Sequence, residues 1–170
     1  MIDHELVGSL KGASVESFQQ ICSTYYERMF LFFWRRTQNR EESKRLINKL
    51  FSSIWVNRAS LEFGASLETF MYRHANEMAF QHLSTNPDIQ LPPPDDSNDF
   101  SYHLNFHLNS LPENHKVTFI LARYERLPFN EIAEVMRIPQ ETVESYLASS
   151  VKYLMDKTKA LFGDESIHER

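Results

Sequence analysis

Leu127 to Met155, LPFNEIAEVMRIPQETVESYLASSVKYLM, decides how the C-terminal half of the chain folds. Phe129, Ile132, Ala133 and Val135/Met136 recur at the spacing of one helix face. Pro128 suits a first-turn position, where its missing N–H costs nothing. Arg137-Ile138-Pro139 is a turn, because Pro139 forbids a simple continuation of the first helix. A second, longer helix begins near Gln140, with Val143, Leu147, Val151 and Leu154 predicted as one buried stripe. Ala133 is small enough to let the two helices cross closely, so the stretch predicts a helix-turn-helix.

Working outward, the sequence predicts helices almost everywhere. A short helix over 3–11 ends at Gly12, read as its C-cap, and Ser14 starts a second. On that second helix Val15, Phe18, Ile21/Cys22, Tyr25, Met29 and Phe32/Phe33 form a wide apolar face, ended by the polar break Thr37-Gln38-Asn39-Arg40. A third helix from about Glu41 carries Leu46, Ile47, Leu50, Phe51, Ile54 and Trp55. Residues 61–66 connect it to a fourth, N-capped by Ser66, with Leu67, Phe70, Met71, His74, Ala75, Met78, Ala79 and His82. These lengths and short joints make an N-terminal helix bundle over 1–84. TNPDIQLPPPDDSN, ending at Asn98, is a Pro-rich linker over 85–98 with an acidic, polar flank that has nothing to bury. A helix with Phe100, Leu104 and Leu108, then Glu113–Glu125, leads into the helix-turn-helix of a second domain, 99–163, followed by a tail, 164–170. The fold class is all-α, in two small helical domains.

Composition narrows the chemistry. The 170 residues hold one cysteine and only four glycines, with 42% hydrophobic content. A lone Cys22 excludes an internal disulfide framework and points to a reducing cytoplasm. Among Phe18, Ile21 and Tyr25 it reads as a buried structural thiol. No run of 18 apolar residues occurs, so neither a membrane span nor a signal peptide is expected. His103 and His107 share a helix face, with His115 nearby, yet lack the further ligands and the His-Glu-x-x-His spacing of a zinc site. No phosphate-binding glycine loop or nucleophile elbow is present. No metal, no cofactor and no catalytic activity are expected.

A helix-turn-helix alone suits an ordinary helical corner as well as a DNA reader. The wider pattern resembles the extracytoplasmic-function sigma factors of bacterial RNA polymerase. Leu111-Pro112-Glu113, Val117 to Tyr124, Asn130-Glu131-Ile132-Ala133-Glu134 and Thr142-Val143-Glu144-Ser145 are similar to that family's C-terminal domain. Glu5-Leu6-Val7, Gly12, Phe18 and Tyr25/Tyr26 resemble its opening, and Leu46 to Phe51 with Trp55 its core-docking helix. Phe70 to Asn76 resemble the segment that opens the −10 element. The resemblance implies core RNA polymerase, promoter DNA and an anti-sigma factor as partners. It implies that 41–55 dock on core polymerase through Arg45, Asn48, Lys49 and Phe51. It places Tyr72, Arg73 and Asn76 at the −10 strand. Gln140, Glu141, Glu144, Ser145, Ser149 and Lys152 would lie over the −35 duplex.

The departures from the family lie on those working surfaces. The family's usual Asp, Gln and Glu stand here as Arg45, Asn48 and Lys49, two of them charge reversals. Its Arg-Asn pair is Asn76-Glu77 here. The recognition helix carries Glu144, Tyr146, Ser149 and Val151 where basic residues are common, leaving Lys152 its only cation before Lys157. Residues 1–85 hold 10 Lys/Arg against 9 Asp/Glu, whereas 86–170 hold 8 against 14. A DNA-reading half is ordinarily the basic one, because phosphate neutralisation dominates affinity. Arg123, Arg126, Arg137 and Lys116 are the cations left to compensate. An alternative therefore stands beside the active factor: a sigma-like interaction protein that binds an anti-sigma factor or other regulator without reading promoters.

Overall fold

The structure, a computed structural model, describes residues 2–60, 62, 66–86 and 99–162, with side chains from residue 7 to residue 159. The predicted linker core, 87–98, most of the 61–65 connection, and the tail from 163 lie outside the described residues. Every described element is helical, as the sequence predicts. The chain splits into two compact units, one built on the first four helices and the other mainly on the later ones.

In the first unit, α1 (Ile2–Lys11), α2 (Val15–Thr37), α3 (Arg40–Asn57) and α4 (Leu67–Thr85) pack with α2 against the other three. Side chains close the helix starts. Ser14 accepts from the Ser17 N–H at 3.1 Å, Asn39 from those of Glu41 and Glu42 at 3.0 and 3.1 Å, and Ser66 from that of Thr69 at 3.0 Å. The end of α1 departs from expectation. Ala13, not Gly12, takes the left-handed conformation (φ 64°), and the Ser14 N–H closes back on the Ser9 carbonyl at 3.0 Å. The core gathers Ile21, Met29, Phe32, Phe33, Ile47, Leu50, Ile54, Phe70, Met71 and Tyr72. Val15, expected on this face, is instead 49% exposed, and Cys22 is only half-buried. Periodicity hid one member: Arg36 follows Tyr25, Met29 and Phe32 down the same stripe and is buried, its guanidinium 5.5 Å from the Phe32 ring centre.

In the second unit, α5 (Phe100–Asn109) starts at Asp99, whose carboxylate accepts from the Ser101 N–H at 2.9 Å. α5 and α6 (Glu113–Phe119) pack on α8 (Gln140–Phe162). The buried residues of α5 are His103 and Leu108; Leu104, expected inside, is part-exposed. α6 widens into a π-helical turn, Ile120–Tyr124, where the Glu125 N–H reaches the Ile120 carbonyl at 3.1 Å. Arg126 (φ 58°) then ends the run in a left-handed residue. α7 (Phe129–Met136) opens on Pro128, whose carbonyl accepts from Glu131 and Ile132, and buries Ile132 and Val135. Phe129, expected on that face, is 37% exposed.

Candidate nucleic-acid interface

The corner between α7 and α8 is set by backbone geometry. Arg137 adopts φ 55°, and the Ile138 N–H returns to the Ala133 carbonyl at 3.1 Å, closing α7 before Pro139 is reached. The Pro139 carbonyl accepts from Thr142 and Val143 at 3.0 and 3.2 Å and so begins α8. Val143, Leu147 and Leu154 are buried as expected, but Val151 is not; Ser150 takes its place. The Ser150 hydroxyl donates to the Tyr146 carbonyl at 2.7 Å and lies 3.2 Å from the His115 carbonyl, so a polar group survives burial by joining α8 to α6. The His115 and Tyr146 rings meet at 4.4 Å beside it.

This packing fixes the opposite face. Gln140, Glu141, Glu144, Ser145, Ser149 and Lys152 are all exposed, with Ala148 at the middle of the face. The Gln140 side-chain amide donates to Glu144 Oε1 at 3.1 Å across one turn. Of the cations expected to compensate, Arg123, Arg126 and Arg137 are exposed. Lys116 is not available: it is 8% exposed, with Nζ 3.2 Å from the Glu113 carboxylate.

The first unit divides its predicted site residues differently. Arg45, Asn48 and Lys49 are exposed on α3, and Arg45 Nε donates to Glu42 Oε2 at 2.8 Å. Phe51 is a core residue, 7% exposed, set edge-on to Phe18 at 6.5 Å. Tyr72 is fully buried, edge-on to Phe32 at 5.5 Å with the Arg28 guanidinium 5.6 Å over its ring. Neither can touch a partner without unpacking the unit. Arg73 is part-buried, 5.7 Å from the Phe70 ring centre. Asn76 accepts from buried Arg36 Nη1 at 2.7 Å, a polar tie between α4 and α2. A groove between α3 and α4 is lined by Lys49, Ser53, Phe70, His74, Glu77 and Met78. There burial, aided by the neighbouring Arg73 charge and opposed by Glu77, holds the His74 pKa below the ordinary value.

His103 is buried, and the His107 ring meets Phe106 at 5.4 Å and Tyr153 at 6.5 Å. Among the described residues no three His, Cys, Asp or Glu side chains gather as metal ligands. Burial raises the Cys22 thiol pKa, which disfavours the reactive thiolate. No described helix is long and apolar enough to cross a membrane.

Residues 108–154 match the family model described as sigma-70, region 4. That segment, which holds the helix-turn-helix, is similar to sigma-70 region 4. No curated protein matches the sequence. Among solved structures, the chain is similar to the sigma factor RpoE, solved with the anti-sigma factor NepR from Bartonella quintana. The TM-score is 0.72 at 13% identity, covering 85% of this chain and 98% of that one. It is also similar to CnrH, solved with the cytosolic domain of CnrY, with a TM-score of 0.77 at 10% identity, covering 93% and 97%. At such identities the likeness is one of fold: the chain has the fold of these two proteins along nearly its whole length.

Proposed function

We propose that the chain is a sigma factor of the extracytoplasmic-function type, non-catalytic and cytoplasmic, that directs RNA polymerase to promoters. The observation that carries this reading is the exposed polar face of α8, presented by a helix-turn-helix inside the sigma-70 region 4 segment. In this reading Gln140, Glu141, Glu144, Ser145, Ser149 and Lys152 lie over the −35 duplex, while Arg123 and Arg126 supply phosphate contacts. Arg45, Asn48 and Lys49 form the polymerase-facing patch on α3. Arg73 and Asn76 are the residues of α4 nearest the −10 strand, Asn76 held in place by Arg36. That RpoE was solved with an anti-sigma factor supports a partner of that kind here. Gel filtration with purified core polymerase, followed by run-off transcription, tests the proposal; absence of a complex would end it.

A second reading rests on one observation. The exposed face of α8 carries Glu141 and Glu144 and no cation before Lys152. Such a face suits a basic protein partner as well as a groove lined by phosphates. In that case wild type shows no duplex binding near physiological salt and Lys152→Ala changes nothing. In a DNA reader Lys152→Ala flattens the salt dependence by about one unit of slope. Filter binding at three salt concentrations separates the two.

A further inference from the structure

The side chains on the exposed face of α8 are of two lengths. Gln140, Glu141 and Glu144, in the first turns, are long; Ser145, Ala148 and Ser149, further along, are short. Short side chains let the helix sink toward a groove floor, and long ones near its start then span to base edges. What those long side chains offer is chiefly acceptors. Gln140 brings the only strong side-chain donors among them, and one of its two amide N–H bonds is directed to Glu144 Oε1 at 3.1 Å. That exposed contact favours one arrangement of the Glu144 side chain and leaves Oε2 to accept from a base.

A carboxylate discriminates among base edges by charge. Guanine shows O6 and N7 and thymine shows O4, all acceptors that repel it. Adenine has an amino group, but its N7 acceptor sits alongside. Cytosine presents the N4 amino group with only a C5–H beside it, so its edge is the one in the major groove that a lone carboxylate can approach without repulsion. Resting on the promoter-reading function above, we infer that Glu144, positioned by Gln140, reads the amino group of a cytosine in the upstream element. The acidic face is then a selectivity device. It weakens attachment to every duplex through phosphate repulsion and recovers binding where a cytosine amino group meets Oε2.

The test uses the full chain bound to core RNA polymerase and a library of duplexes randomised across the upstream element. Wild type should favour cytosine over thymine by about tenfold at one position. Glu144→Ala should reduce that preference below about twofold while preferences elsewhere persist. Gln140→Ala should cut the same ratio by about threefold, an effect confined to one base that a general loss of structure would not give. Both positions are exposed, so circular dichroism should be unchanged in the variants. If Glu144→Ala selects the same sequences as wild type, cytosine readout is overturned while promoter reading stands. If the chain forms no complex with core polymerase, or its complex selects no sequence, both are overturned.

Discussion

α3 and α8 present outward faces of opposite chemistry. α3 offers Arg45, Asn48 and Lys49; α8 offers Gln140, Glu141 and Glu144, with no cation before Lys152. The contrast extends to how their units treat residues singled out by resemblance. On α8 all six are exposed, whereas in the first unit Phe51 and Tyr72 belong to the core and Asn76 is tied to Arg36. The cause is where each residue falls on its helix: Phe51 and Tyr72 sit on the packed stripes of α3 and α4, while Tyr26, Trp34 and Phe80 of the same unit stay exposed. An aromatic ring that faces the core gains too much from burial to be left for a partner. Polar residues on a helix already anchored by Val143, Leu147 and Leu154 face no such competition.

The largest effect that could break this comparison is in the aromatic core. Tyr72→Ala should destabilise the first unit by about 3–5 kcal/mol, as truncation of a buried aromatic does. A loss under about 1 kcal/mol in urea denaturation would mean that Tyr72 is free to serve a partner after all. Next, Leu147→Ala should cost about 2–4 kcal/mol while Val151→Ala costs under about 1 kcal/mol, because only the first is buried. Equal losses would restore Val151 to the stripe. Ser150→Ala should cost about 1 kcal/mol, the net value of its hydrogen bonds. A stabilised variant would show that the hydroxyl is tolerated rather than used.

The smallest effect is in pH, and each unit has its own reporter. Burial lowers the pKa of His74 in α4. For His107 in α5, burial comes first and the charges of Lys157 and His103 add to it. Because each folded value lies below the ordinary 6.5, the unfolded chain takes up these protons first. Stability is therefore full above that pH and falls as pH drops through it toward the folded values. Thermal melts between pH 5 and 8 should show this decline, and His74→Gln and His107→Gln should each flatten it. A variant as pH-dependent as wild type would clear that histidine of any role.

The helices and their order were legible in the sequence because the 3.6-residue period, Ser14 and Ser66 at helix starts, and Pro128 and Pro139 as punctuation act locally. So was the exposed face of α8, since a stripe of Val143, Leu147 and Leu154 dictates what lies opposite. Local signals do not say which of two neighbouring positions the packing partner covers. That is why Ser150 rather than Val151, His103 rather than Leu104, and Ala13 rather than Gly12 took the roles expected of the other. Nor do they say when a charged side chain will be buried. Arg36 lies on the apolar stripe of α2, and Lys116 sits beside the buried Val117. Each charge became tolerable inside only when folding brought it a partner, Asn76 forty residues away for the first and Glu113 one turn back for the second.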